Sequence, residues 1–297
     1  MSTSVPLDEL LDRVTAGGEL AAEELGALGE SSDILAVGMI ADALRRRRHG
    51  RQVTYVRVAH WPHDAPLESV PPAAREIRIT GAPDTLDVAL RAVEAARELS
   101  QGRSLSGFSW CDIERIGSGT TMAGVLAQLR SAGLDAIAHV PLDAIASPAA
   151  ALGLLADAGY ERVRVSIDKA AAVDTRVALM REAAVLQQRL GCIHAINPLP
   201  STLGAFRPTT GYDDVKSVAL ARLAAPNVPC VQIDWLRYGP KLAQVALTFG
   251  ADDVDEVTAS DAAPDGRRRA PLEEVRRNIT AAGFEPVERD GRFAAIA

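Results

Sequence analysis

The stretch that decides the fold is Gly211–Val257, which reads GYDDVKSVALARLAAPNVPCVQIDWLRYGPKLAQVALTFGADDVDEV. Residues Tyr212–Ala224 and Gly239–Phe249 have the apolar spacing and the Ala, Leu and Arg content of helices. Two short runs rich in β-branched and apolar residues, Val231–Leu236 and Asp253–Val257, follow these helices and predict strands. A strand, a helix and a second strand in this order predict parallel strands joined by a crossover helix.

The same alternation extends towards the N-terminus. The other predicted strands are Val53–Ala59, Glu76–Thr80, Leu105–Trp110, Ala136–Val140, Arg162–Ile167 and Cys192–Asn197. The other predicted helices are Thr85–Ser100, Thr121–Ala132, Pro148–Ala158 and Ala171–Leu190. Eight strands in a chain of 297 residues favour an α/β fold of the (β/α)8 TIM-type barrel class over an open sheet.

We expect three regions in the chain. Residues 1–50 are predicted to form an N-terminal helical cap, residues 51–258 the barrel, and residues 259–297 a short α/β extension that packs on the barrel. The extension contains a predicted helix, Pro271–Ala282, and two strand-like runs, Glu285–Glu288 and Arg292–Ile296. The four arginines Arg45–Arg48 fit either an anion site or a solvated helix end that complements the helix dipole.

The composition excludes several classes of protein. Apolar residues make up 47% and charged residues 24% of the chain, which is ordinary for a folded domain. No apolar run reaches the length of about 18 residues that a membrane helix needs, and the first residues do not resemble a secretory signal. The net charge of −7 argues against general nucleic-acid affinity. We therefore expect a cytoplasmic protein that binds neither nucleic acid nor a membrane.

Polar residues gather at the predicted carboxyl ends of the strands, where barrels carry their chemistry. These residues are His60, Gly81, Cys111 with Asp112 and Glu114, His139, Asp168 with Lys169, Asn197, and Asp234 with Trp235. The candidate catalytic residues among them are Asp168, Lys169, Asp234 and His60. Lys169 is one of three lysines and fits either a Schiff-base amine or an anion clamp.

Two short motifs have competing interpretations. The pair His60 and His63 has metal-ligand character, but the sequence supplies no second cluster, so we expect hydrogen-bonded loop histidines and no metal site. The run Ile116–Thr121 contains two glycines before a helix, which fits either a phosphate cradle or a loop that ends in a Thr cap. The three cysteines are 81 and 38 residues apart, which suggests neither disulfides nor a local metal motif.

The segment quoted first also resembles a known family. The residues that carry the resemblance are Trp235, Gly239-Pro240-Lys241, Gln244–Leu247, Phe249–Asp253 and Asp255. They resemble the radical S-adenosylmethionine (SAM) enzymes that make aminofutalosine in the futalosine route to menaquinone. They resemble less closely the cyclic dehypoxanthine futalosine synthase and the deazaflavin-forming FO synthase. Similarity extends over Leu7–Ala27, Asp33–Val53, Val125–Asp135 and Pro271–Asp290, so the resemblance implies a radical-SAM-like barrel.

The chain departs from this family where the cofactors bind. The resemblance implies a C-x-x-x-C-x-x-C motif after the first strand, whose thiolates hold a [4Fe–4S] cluster with an open iron for SAM. Here the first strand leads into His60–Leu67, and no cysteine precedes Cys111. Cys192 and Cys230 are predicted at strand starts, on the opposite end of the barrel. Two further departures are Gly81-Ala82-Pro83, where the family has a Gly-Gly segment that contacts SAM, and His139-Val140-Pro141, where it has a glycine-rich loop. The expectation is therefore no cofactor, neither cluster nor SAM.

Two functional hypotheses follow. In the first, the chain is a cluster-less paralogue of aminofutalosine synthase, linked to menaquinone biosynthesis as a ligand-binding or partner protein. Its ligand would be a small nucleoside or a carboxylate, and its partner an active paralogue or a second copy of the chain. The predicted ligand-binding residues are Asn197, Arg207, Asp234, Trp235, Tyr238, Lys241 and Gln244. In the second, the chain is an enzyme of non-radical chemistry that acts on a similar compound in the same barrel mouth.

Overall fold

The computed structural model describes residues 7–66, 68–117, 119–168, 172–200, 211–263 and 268–296. Two predicted site residues, Lys169 and Arg207, lie outside the described residues. No helix within these ranges is long and apolar enough to span a membrane.

Eight parallel strands form a closed barrel. They are β1 (Gln52–Pro62), β2 (Glu76–Thr80), β3 (Ser104–Ser109), β4 (Ala136–Pro141), β5 (Val163–Asp168), β6 (Ile193–Leu199), β7 (Cys230–Asp234) and β8 (Asp253–Thr258). Each strand pairs with the next, and β1 closes the ring because it pairs with β8 on one side and β2 on the other. The predicted (β/α)8 barrel is therefore confirmed.

The helices surround this barrel. They are α1 (Leu7–Ala16), α2 (Ala22–Glu30), α3 (Ile34–His49), α4 (Leu86–Leu99), α5 (Trp110–Ile116), α6 (Met122–Ala132), α7 (Pro148–Asp157), α8 (Val173–Leu190), α9 (Gly211–Ala224), α10 (Trp235–Leu247) and α11 (Pro271–Ala281). Local sequence explains their limits. Thr85 caps α4 by accepting a hydrogen bond from the N–H of Val88, and Gly133 ends α6 with a φ of 111°.

The arginine run at the end of α3 has a structural role. Arg45 is fully buried, donates to the carbonyl of Gly50, and stacks 4.0 Å from the centre of the Phe284 ring. Arg48 donates to the carbonyls of Pro226 and Val228 ahead of β7. The interpretation of a fully solvated helix end is therefore wrong for Arg45, because its guanidinium links α3 to the barrel.

The segment after α11 closes the amino-terminal end of the barrel. Strand β9 (Glu285–Glu288) pairs in parallel with the first half of β1. Beyond it, Arg289 is fully buried and binds both carboxylate oxygens of Asp253 at 2.6 Å. The centre of the Phe293 ring lies 4.0 Å from the Arg289 guanidinium. The same ring also packs against the ring of His194. The predicted second strand Arg292–Ile296 forms only an isolated bridge, between Arg289 and Ala295.

Most element boundaries differ from the predictions by one to three residues, and two differences near the mouth have a clear local cause. Strand β7 ends at Asp234 rather than at residue 236, because the Asp234 carboxylate caps α10 by accepting a hydrogen bond from the N–H of Arg237. The short helix α5 was not predicted. Ser109 and Asp112 form a capping box that starts it directly after β3.

Candidate functional site

A polar cavity lies at the carboxyl-terminal mouth of the barrel, where the chemistry of this fold is normally located. Its volume is about 160 Å³. The side chains around it come from strands β2 and β4–β8 and from the start of α10. Polar and charged lining residues are Arg78, His139, Arg164, Ser166, Asn197, Gln232, Asp234, Arg237, Asp255 and Glu256.

Ion pairs fill the barrel beneath this cavity. Arg164 binds Glu76 with two hydrogen bonds of 2.9 and 2.7 Å, and Arg78 donates to the same carboxylate at 2.7 Å. Arg78 also binds both oxygens of Asp255 at 3.0 Å and contacts the carboxylate of Glu256. Arg78, Arg164, Glu76 and Asp255 are all buried, so each charge depends on the others for compensation.

These contacts control the ionisation of the buried acids. Burial acts to raise the pKa of Glu76, but Arg164 and then Arg78 outweigh it and hold that pKa at about 2. Burial opposes ionisation of Asp255 in the same way, and the neighbouring Arg78 drives its pKa far below the ordinary value. Both carboxylates are therefore ionised at neutral pH, which keeps the guanidiniums in place.

The rim of the cavity near β1 is occupied by a second pair. The His60 imidazole contacts the Glu256 carboxylate through Nε2, and this hydrogen bond raises the pKa of His60. Glu256 has a φ of 63°, an uncommon backbone conformation for a residue with a side chain. His60 and Glu256 thus hold each other at the mouth, and Arg78 lies on the far side of Glu256.

Three residues that line the cavity each have a buried polar atom with no hydrogen-bond partner in the described part of the chain. These atoms are Arg164 Nε, Ser166 Oγ and Asn197 Oδ1. Buried polar atoms in folded proteins nearly always have partners, because an unpaired one costs about 1–3 kcal/mol. The residues that carry these three atoms all line the one cavity, which favours a polar ligand there.

The opposite side of the cavity carries titratable groups. Burial raises the pKa of Asp234 to about 6, although its hydrogen bond with the N–H of Arg237 works in the other direction. Burial lowers the pKa of His139, which therefore remains neutral at pH 7. Arg237 places Nη2 3.9 Å from Asp168, and both side chains are about one-third exposed. A neutral imidazole and a carboxyl with a pKa close to neutrality fit proton transfer as well as binding.

The structure brings only some of the predicted ligand and catalytic residues to this cavity. Asn197 and Asp234 line it, and His60 and Asp168 contact its lining residues Glu256 and Arg237. Trp235 is buried in the hydrophobic core, so its ring does not face the cavity lining. The other three described candidates, Tyr238, Lys241 and Gln244, are placed elsewhere.

Tyr238 is buried apart from a small exposed fraction of 6%, and its hydroxyl donates a hydrogen bond to the carbonyl of Pro198 at 2.5 Å, which joins α10 to the end of β6. Lys241 and Gln244 line a separate groove between α10 and α11. That groove shares no lining residue with the mouth cavity. The family-like motif around Gly239 therefore faces the outside of the barrel and not its mouth.

The described residues do not fit a [4Fe–4S] cluster. Such a cluster needs three neighbouring thiolates, whereas Cys192 lies just before β6 and Cys230 begins β7, both at the closed end of the barrel. Cys111 lies in α5, at the mouth. After β1, the His63 ring packs beside Thr80 and Gly81. Within the described ranges, no three His, Cys, Asp or Glu side chains are grouped as metal ligands.

Sequence reasoning missed most of the charged residues that form the cavity floor. Arg78, Arg164 and Asp255 sit within predicted strands, where attention was on strand ends. A signal was present, because Glu76 and Arg78, and likewise Asp253 and Asp255, are charges two residues apart and so face the same side of a strand. Inward-facing charges at this period indicate an ion-paired barrel interior.

Comparisons with known proteins agree with this architecture. Residues 200–296 match the family described as the CofH/MqnC C-terminal region. The chain is 30% identical over 257 residues to 5-amino-6-(D-ribitylamino)uracil–L-tyrosine 4-hydroxyphenyl transferase of Archaeoglobus fulgidus, with 75% of each chain covered. It is 36% identical to aminodeoxyfutalosine synthase of Thermus thermophilus, over 34% of this chain and 28% of that one.

The similarity to solved structures concerns the fold alone. Methylornithine synthase superposes with a TM-score of 0.69 at 14% identity, over 93% of this chain and 97% of that chain. The FeFe-hydrogenase maturase HydG from Carboxydothermus hydrogenoformans also gives 0.69, at 10% identity, over 95% and 79%. Both support the same barrel.

Proposed function

Since the chain belongs to the radical SAM family of the aminofutalosine, cyclic dehypoxanthine futalosine and FO synthases, which is linked to the futalosine route to menaquinone, we propose that it is a member that works without the iron–sulfur cluster. It binds a small polar ligand in the barrel mouth and does not cleave SAM. The fold and the cluster chemistry are separable, because the cofactor supplies the radical and the protein positions it.

One observation carries the proposal. Arg164, Ser166 and Asn197 line the same mouth cavity, and each has a buried polar atom with no hydrogen-bond partner among the described residues, while the segment His60–Leu67 contains histidines and no cysteine. An unpaired buried donor or acceptor costs free energy of folding. Residues that keep such atoms at the mouth therefore favour a protein that binds a ligand there.

The size of the cavity limits what it holds. About 160 Å³ is below the roughly 300–1,000 Å³ of sites that enclose a drug-sized ligand. The cavity therefore takes a small carboxylate, or one polar end of a nucleoside such as aminodeoxyfutalosine. Arg237, which lines the cavity and is about one-third exposed, is the donor for an anionic or hydroxylated group.

A second candidate function is supported by the pKa of Asp234. A carboxyl that titrates near pH 6 beside a neutral His139 is poised to give and take a proton near neutral pH. This favours non-radical chemistry on a nucleoside or carboxylate in the same cavity, with Asp234 as the acid–base group. Asp234→Asn would then abolish turnover but keep ligand binding.

Thermal unfolding in the presence of aminodeoxyfutalosine, L-tyrosine and SAM tests the binding proposal. A true ligand at a hundred times its Kd should stabilise the protein by about 2.7 kcal/mol. Asn197→Ala and Arg237→Ala should remove most of this effect, whereas Arg181→Ala, an exposed substitution on α8, should keep it. Stabilisation that persists in both mouth variants would place the ligand elsewhere and overturn the proposal.

A further inference from the structure

The groove between α10 and α11 is larger than the mouth cavity. Its volume is about 590 Å³, which lies within the range of ordinary small-molecule sites. Tyr238, Pro240 and Leu242 contribute an apolar wall from α10, and Ala281 lies on the α11 side. Both walls fall within residues 200–296, the region that matches the family.

A break in α10 borders this groove. Gly239 has a φ of 67°, and an added Cβ there would meet open space. The helix restarts at Pro240, which has no N–H, so the first-turn donors of Lys241 and Leu242 lack intrahelical acceptors. These N–H groups add positive potential on the α10 side of the groove, which Lys241 also lines.

The groove is lined by more cationic than anionic side chains. Lys241 from α10 and Arg277 from α11 make no hydrogen bond or ion pair within the described part of the chain. Arg269 pairs with Glu273 at 3.3 Å, and Glu274 is the one carboxylate among the described lining residues. The groove is therefore positive, although the whole chain has a net charge of −7.

Two unpaired cations on facing walls match a ligand with a doubly charged head. A carboxylate carries one negative charge, whereas a phosphate monoester carries nearly two at neutral pH and offers three acceptor oxygens. The apolar wall of Tyr238, Pro240 and Leu242 matches a hydrophobic body attached to that head.

We propose that the groove between α10 and α11 is a second ligand site, which binds a phosphate monoester with an apolar body through Lys241 and Arg277. It is separate from the mouth cavity, because the two share no lining residue. The proposal does not depend on what the mouth binds.

Isothermal titration of the full chain with phenyl phosphate at low ionic strength tests this site. We expect saturable binding that weakens as salt is added, and weaker binding of benzoate and of inorganic phosphate, since each lacks one of the two matched features. The double variant Lys241→Ala/Arg277→Ala should bind phenyl phosphate at least about tenfold more weakly. Arg91→Ala, which removes an exposed cation from α4, is the matched control and should change the affinity by less than about twofold.

Several results would overturn the proposal. They are the absence of saturable binding to the unmodified chain, unchanged affinity in the double variant, or an equal loss in Arg91→Ala. Lys241 and Arg277 are exposed, so the double variant should fold with an unchanged unfolding midpoint, which is checked on the same sample. A benzoate affinity equal to that of phenyl phosphate would likewise refute the requirement for a doubly charged head.

Discussion

Arg78 is the residue on which the interior of the barrel most depends. Its guanidinium binds three carboxylates from two strands, those of Glu76, Asp255 and Glu256. A buried pair is a weak source of stability in itself, because both charges lose their hydration. Removing one member is different, because it leaves the opposite charges buried and uncompensated.

Replacing Arg78 with Met should therefore destabilise the protein by about 3–5 kcal/mol, measured by urea unfolding at pH 7. Arg51→Met is the matched control. Arg51 pairs with Glu285 at 3.4 Å, but both side chains are more than 60% exposed, so the loss should be no more than about 1 kcal/mol. Equal losses in the two variants would show that the interior network does not depend on charge compensation.

The free energy of unfolding depends on the ionisation of Asp234, and this dependence on pH has the opposite direction to that of Glu76. The pKa of Asp234 is about 6 in the folded chain and 3.8 when exposed, so folding favours its protonated form. This contribution is complete below about pH 4 and is lost as the pH rises through 6. Glu76 behaves conversely, since its depressed pKa gives stability that is present above its ordinary value of 4.5 and lost towards pH 2.

Asp234→Asn should remove this dependence and keep the α10 cap, because Asn caps helices as well as Asp. Relative to the unmodified chain, the variant should gain about 2 kcal/mol of unfolding free energy between pH 4 and pH 7. Urea unfolding at the two pH values measures the difference. A difference that stays constant would contradict the buried, partly protonated carboxyl.

At the scale of elements, the segment after β9 connects the closed end of the barrel to the floor of the cavity. The carbonyl of Gly291 accepts a hydrogen bond from Arg164, whose other contacts reach Glu76. Gly291 is close-packed, since an added Cβ would overlap Ser104 Oγ and lie 2.8 Å from Glu76 Oε2. The C-terminal extension therefore contributes to the same buried network as β2 and β5.

Gly291→Ala should destabilise the chain by about 1–3 kcal/mol, as overpacking does in other cores. Gly153→Ala provides the control in α7, where an added Cβ meets open space within a helix. That substitution should stabilise the chain by up to about 1 kcal/mol. Thermal or urea unfolding of both variants measures the contrast, and two similar changes would mean that the segment is not packed as described.

The elements also show what the sequence could reveal. Alternating β-branched and Ala/Leu-rich runs were sufficient to predict all eight barrel strands, because a parallel barrel repeats one pattern. Helix α5 and the end of β7 were missed because Ser109 and Asp234 act as caps, and a cap is recognisable only once the strand before it is known to end. Arg78 and Arg164 were missed because strand interiors were assumed to be apolar.

At the scale of the whole molecule, the interior of the barrel contains mutually compensating charge pairs, and one end of the barrel is closed by the chain's own C-terminal segment. Residues that line its mouth have buried polar atoms without a partner within the described ranges, and its cysteines are distributed over both ends of the barrel. A member of this family with these buried ion pairs and this C-terminal closure should fold, and should keep the geometry of its barrel mouth, without an iron–sulfur cluster.

Anaerobic reconstitution with iron and sulfide, followed by iron and sulfide analysis and absorption spectroscopy, tests this account most directly. We predict no near-stoichiometric uptake and an unfolding midpoint that is unchanged by the treatment. Near-stoichiometric assembly of a [4Fe–4S] cluster that then binds SAM would contradict the central claim.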